Sequence, residues 1–198
     1  MKSLVLATLV GAIALATVSA KEVGKSAPQF AAKDVKGASV SLADMKGKTV
    51  VLEWVNFDCP FVKKHYSGGN MQKLQADAAA KGVVWLTVHS AGEGGPAYVE
   101  PSKLGELASS KGVKAAHVLV DGDGKIGKAY DAKVTPHMFI IDKEGKLAYN
   151  GAIDSKDSIE AADVDTADKL FANALTAVLD GKEVVNAKNK PYGCGVKY

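Results

Sequence analysis

Arginine is absent from the 198-residue sequence, so all 25 of its strongly basic side chains are lysine. Without a guanidinium, the chain lacks the planar fork that grips phosphate or carboxylate in two-point contact. The lysines are scattered among 22 acidic residues and the formal net charge is only +3. No basic stripe for nucleic acid results. Cysteine is nearly missing too, with two residues, Cys59 and Cys194, so no disulfide framework holds this chain together. A cluster of these two with His65 and His137 would suit a soft metal, but there is no CxxC and no paired histidine on one helix face. The expectation is no metal and no cofactor. Apolar runs of spanning length are also lacking, because nothing after the first twenty residues approaches the roughly 20 needed.

Those first twenty residues carry an address. Lys2 is followed by an apolar run from Leu4 to Val18 and then by Val18-Ser19-Ala20, the small-residue pattern of a signal-peptidase site with cleavage after Ala20. Residues 1–20 are therefore expected to be a signal peptide, and 21–198 a single soluble domain, periplasmic or secreted, with no membrane span. In such a compartment thiols meet oxidising conditions, and an even count of two matters.

The mature part reads as alternating strands and helices. A hairpin is expected around Lys36-Gly37, with an alternating stretch Ala38–Leu42. Thr49–Asn56 (TVVLEWVN) is β-rich and nearly all apolar, as a central buried strand should be. After Cys59-Pro60 a helical pattern containing Met71, Leu74 and Ala78 runs to a stop at Lys81-Gly82. Val83–Val88 predicts a second buried strand, and Pro101–Ser110 a helix opened by proline. A third strand at His117–Val120 precedes a turn at Asp121-Gly122-Asp123-Gly124 and a short helical stretch to Tyr130. His137–Ile141 and Leu147–Gly151 read as a hairpin, Thr166–Leu179 as the last helix, and the remainder as a polar tail. The implied class is α/β, a mixed sheet covered by helices on both faces with an N-terminal β extension.

Cys59 is the chemical focus. At the end of a buried strand and the mouth of a proline-started helix, its thiolate would face unpaired backbone donors and the positive end of the helix dipole. Asp58 opposes that effect and Lys63 and Lys64 offset Asp58. Pro136, at the entrance to a strand, removes a ladder donor; in a cis peptide, Thr135-Pro136 would free backbone groups to line a site. His137, just after it, is a candidate proton donor or thiolate partner, and His65, one helix face on, a weaker one.

Cys59 after a strand, Thr135-Pro136 before a later strand and the hairpin through Phe139-Ile140-Ile141 and Tyr149-Asn150-Gly151 resemble the thioredoxin and peroxiredoxin superfamily. The segments DCPFVKKHY (58–66) and GCGVKY (193–198) resemble, more narrowly, the peroxiredoxin-like redoxins related to alkyl hydroperoxide reductase and thiol-specific antioxidant proteins. The resemblance implies a thioredoxin-like fold, Cys59 as nucleophilic thiol, Pro136 as the cis-proline beside it and Cys194 as candidate resolving partner. It also sets departures in relief. The second cysteine of a thioredoxin falls at Val62, and the threonine and proline that precede a peroxidatic cysteine fall at Asn56 and Leu52. The catalytic arginine has no counterpart, so peroxide reduction should be slow.

The expected activity is thiol-dependent oxidoreduction of protein disulfides or, slowly, peroxides, with reduction by an exported thioredoxin-like partner. The polar, glycine-containing tail is expected to move between engaged and free positions. Two other readings stay open at this point. One is a binding or structural module stapled by a permanent Cys59–Cys194 disulfide; the other leaves the two thiols apart.

Overall fold

The structure, a computed structural model, describes residues 22–198, so the expected signal peptide lies outside the described residues. The first elements are β1 (Ala31–Asp34), β2 (Ser39–Ser41), β3 (Val50–Trp54), α1 (Pro60–Ser67), α2 (Asn70–Ala80) and β4 (Val84–His89). Then come α3 (Pro101–Ser110), β5 (His117–Val120), α4 (Lys125–Tyr130), β6 (Val134–Thr135), β7 (His137–Ile141) and β8 (Leu147–Gly151). The chain closes with α5 (Asp163–Thr166), α6 (Leu170–Leu179) and β9 (Cys194–Gly195).

Seven strands form one mixed sheet in the order β2-β1-β5-β4-β3-β7-β8. β3 runs parallel to β4 and antiparallel to β7, which places it at the sheet's centre. A centre strand is buried on both faces, and this accounts for its unbroken apolar run. Val51 and Val55 point to one core with Val62, Met71, Leu104 and Phe171, while Val50, Leu52 and Trp54 point to the other with Ile126, Tyr130 and Phe139. Helices therefore cover both faces, in the thioredoxin-like arrangement expected, and the N-terminal extension is the β1–β2 hairpin added to β5.

Glu53 is the exception on β3. It is fully buried, and its carboxyl accepts from the Tyr66 hydroxyl, the Gln75 amide, the Trp85 indole and the Thr87 hydroxyl at 2.8–3.2 Å. Burial raises its pKa, and the four donors pull the other way.

Two boundaries differ from the sequence reading. The single helix expected after Pro60 is broken at Gly68-Gly69, where Gly69 takes φ +76°, a conformation open to glycine. The last helix starts at Leu170, after the separate turn of α5. No helix among the described residues is long and apolar enough to cross a membrane.

Candidate active site

Asn56 builds the approach to the thiol. Its side-chain oxygen accepts from the Asp58 amide at 2.9 Å and its carbonyl from the Cys59 amide at 3.0 Å, a side-chain-to-backbone turn of the kind asparagine forms. Cys59 then stands as the N-cap of α1 with Pro60 at the first helical position. Asp58 reaches outward, exposed, and meets Lys63 at 3.6 Å.

Opposite lies the Thr135–Pro136 peptide, which is cis. The Cys59 thiol donates to the Thr135 carbonyl at 3.1 Å. β6 pairs antiparallel with β9, so that Thr135 faces Cys194 and Val134 faces Gly195. This pairing brings Cys194 to Cys59, and both thiols are free. Gly193 makes the approach possible: a Cβ there would lie 2.1 Å from the Thr135 carbonyl oxygen, and its φ is +135°.

The tail is not loose. It runs along β8, where the Asn150 amide donates to the Ala187 carbonyl and Asn189 caps the Ala152 amide at 2.8 Å. Beyond Cys194, the Val196 amide donates to Lys133 and Lys197 bridges to Ala91. The Tyr198 hydroxyl donates to the Ala132 carbonyl at 2.6 Å, its ring resting on Gly124 and Gly127 where no Cβ would fit. Docked in this way, the tail leaves Cys59 only 2% exposed, while Cys194 is half-buried.

The two thiols are unlike. Burial alone would raise the Cys59 pKa. The polar groups around the sulfur, first the Cys194 thiol, then Thr135 and the Val62 and Cys194 amides, outweigh it, and the pKa is lowered. Thr135 acts both ways, since its carbonyl accepts from the protonated thiol; its buried hydroxyl makes no hydrogen bond of normal geometry. Cys194 is pushed up to about 11 by burial and by the hydrogen bond and charge of Cys59. The anion therefore belongs on Cys59.

The histidines are placed elsewhere. His137 is 2% exposed, with Nε2 2.8 Å from Asn150 Oδ1 and Nδ1 accepting from the Lys133 amide. Both nitrogens are thus engaged away from the sulfur, and burial lowers its pKa to about 4. His65, also buried, lies 2.9 Å from the Asn70 amide and 3.3 Å from the Tyr192 hydroxyl. Burial lowers its pKa to about 4 against the pull of Asp154. Asp121, at the turn after β5, accepts from the Ile126 and Gly127 amides and from Ser90. No group of three or more metal-ligating side chains occurs among the described residues.

Gly193 stands in the GCGVKY segment without a role that the sequence assigns it, and Tyr192 lies just outside that segment. Sequence reasoning passed over Glu53, although an acid inside an apolar strand was a visible signal.

A protein of Bacillus subtilis strain 168 named thiol-disulfide oxidoreductase ResA is 28% identical over 131 residues, covering 63% of this chain and 64% of that protein. The chain thus spans just under two thirds of that relative's length. An uncharacterized conserved protein from Geobacillus kaustophilus superposes over 90% of this chain and 93% of its own, with a TM-score of 0.75 at 29% identity. The thioredoxin domain of a thiol-disulfide oxidoreductase from Bacteroides vulgatus shares the fold, with a TM-score of 0.53 at 23% identity over 73% of this chain and 96% of that one. Residues 22–170 match Redoxin, and the chain belongs to the redoxin family.

Proposed function

We propose that this protein is an exported thiol-disulfide oxidoreductase in which Cys59 is the nucleophile and Cys194 resolves its adducts. The observation that carries the reading is the antiparallel seating of Cys194 opposite Thr135, which sets the tail thiol against an acidified Cys59. The thiolate of Cys59 attacks a sulfur of a substrate disulfide and a substrate thiolate leaves. Cys194 then attacks the Cys59 sulfur, freeing the second substrate thiolate and closing the Cys59–Cys194 bond. Thr135 and the cis Pro136 shape the thiolate's surroundings, and His137 braces the strand that follows. With peroxide, Cys59 would pass through a sulfenic acid and condense with Cys194, releasing water. The lack of arginine makes that route slow. The name of the Bacillus relative agrees with disulfide substrates, and residues 1–20 support export with 21–198 as one domain. An exported thioredoxin-like dithiol is the fitting reductant.

The test is a redox titration of the chain from Lys21, counting free thiols across dithiol buffers. A pair that opens between about −180 and −270 mV behaves as a working couple. A bond that stays closed to below about −300 mV, and whose removal by Cys194→Ser only lowers the melting temperature, makes the protein a stapled scaffold instead.

A further inference from the structure

Beneath the tail, away from the sulfurs, lies a cluster of ionisable groups that the thiol chemistry leaves unused. The side chains of Lys64 and His65 are fully buried and that of Asp154 nearly so. Burying charges together is costly unless each finds partners. Asp154 Oδ1 accepts from the Lys156 amide at 2.9 Å and from the Tyr192 hydroxyl at 2.5 Å. Its Oδ2 has no hydrogen bond, with Lys64 Nζ and His65 Nε2 each 3.8 Å away. Lys64 donates to the Lys156 carbonyl at 2.9 Å and lies 5.5 Å from the Tyr192 ring centroid. Phe61 packs on the same ring at 5.8 Å.

Tyr192 thus touches every part of this cluster, and it is the one member supplied by the tail. Phe61, Lys64 and His65 all belong to α1, the helix that Cys59 caps. Two residues beyond Tyr192 comes Cys194. The β6–β9 ladder spans only two residue pairs and the Ala187 and Asn189 contacts further back are made between neutral groups, whereas a hydrogen bond to a buried carboxylate ranks among the stronger single contacts.

We propose that Tyr192 is a positioning residue for the resolving step: its phenol, held by Asp154 in the α1 cluster, sets Cys194 against Cys59. The inference rests on the Cys59–Cys194 pairing proposed above. Removing the hydroxyl leaves the ring on Phe61 and the thiols intact. It weakens the docked position of the tail and slows the attack of Cys194 on a Cys59 mixed disulfide, while the loosened tail uncovers Cys59 for its own attack.

An aromatic disulfide, 5,5′-dithiobis(2-nitrobenzoate), separates the two steps in the reduced chain from Lys21. Cys59 thiolate attacks one sulfur and a first coloured thiolate leaves. Cys194 thiolate then attacks the Cys59 sulfur, the intramolecular disulfide closes and a second coloured thiolate leaves. Cys194→Ser marks the first phase alone. In Tyr192→Phe, at a pH where Cys59 is ionised, the first phase is no slower than in the unaltered protein and the second slows at least about tenfold, the effect of losing a hydrogen bond to a charged group. Tyr198→Phe, which deletes the phenol at the tail's other anchor, keeps the second phase within about twofold, since that contact donates only to a neutral carbonyl. An unchanged second phase in Tyr192→Phe, or equal slowing in both variants, overturns the positioning role and leaves the thiol pair standing. Absence of a second phase in the unaltered protein overturns the pairing, and the inference with it.

Discussion

Gly193→Ala separates cover from acidity at Cys59. The added Cβ would sit 2.1 Å from the Thr135 carbonyl oxygen and 3.4 Å from the Pro136 nitrogen, on backbone at φ +135°. Both neighbours are main chain of the cis peptide, so neither yields as a flexible side chain would. The backbone strain alone is worth about 1–3 kcal/mol. With the collision added, the docked tail loses about 3 kcal/mol or more, which reduces its population roughly a hundredfold or beyond. Two opposite changes at Cys59 follow. The thiol is uncovered, so its limiting rate with iodoacetamide at high pH rises. It also loses the Cys194 thiol and amide as donors, so the midpoint of its pH–rate profile moves up toward that of an ordinary cysteine. Cys194→Ser, run in parallel, retains the backbone donor and the cover. An alanine variant with the native midpoint and native limiting rate would refute the account of how the tail governs Cys59.

Thr135→Val keeps the shape and removes the polar hydroxyl that helps to lower the Cys59 pKa; the alkylation midpoint of Cys59 should rise while thermal stability holds, because that buried hydroxyl has no hydrogen-bond partner to lose. Glu53→Gln puts an amide nitrogen, itself a donor, where the carboxyl oxygens receive four donors, and denaturant unfolding should register a loss of about 2–4 kcal/mol. His137 should stay neutral down to pH 5 in a histidine proton NMR titration. Its pKa is depressed to about 4, so the unfolded chain takes up a proton first as pH falls below the ordinary histidine range. Stability is therefore constant above about pH 6.5 and declines by roughly 3 kcal/mol through pH 4 from this group alone; a resonance titrating near 6.5 contradicts the burial argument. In the oxidised protein, glutathione should attach to half-buried Cys194 and release Cys59, whose lower pKa makes it the better leaving group. Peptide mass mapping after an acid quench checks this.

The strands were legible because each obeyed a local rule. TVVLEWVN could only be a strand buried on both faces, and His137–Ile141 and Leu147–Gly151 stand where the sequence puts them. The break at Gly68-Gly69 was missed because Met71, Leu74 and Ala78 keep helical spacing whether or not the helix before them is continuous. The nucleophile could be read from its place between a buried strand and a proline. Its surroundings could be read only in part, since Thr135-Pro136 stands out at the entrance to a strand whereas Tyr192 takes its seat through tertiary contacts that no spacing encodes. The histidines' partners are hidden from the sequence for a related reason. His65 and His137 are near the site in sequence, yet their nitrogens are consumed by Asn70, Tyr192, Asn150 and the Lys133 amide.

Because α1 carries Cys59 at its first end and the Tyr192 seat one to two turns later, tool and workpiece are clamped to the same bed. When the helix tilts or the sheet beneath it breathes, both sulfurs travel together. Their separation is buffered against motions that would scatter two groups mounted on different elements. Alignment of this pair should therefore outlast a general softening of the fold, such as warming produces, and fail abruptly when α1 itself unwinds.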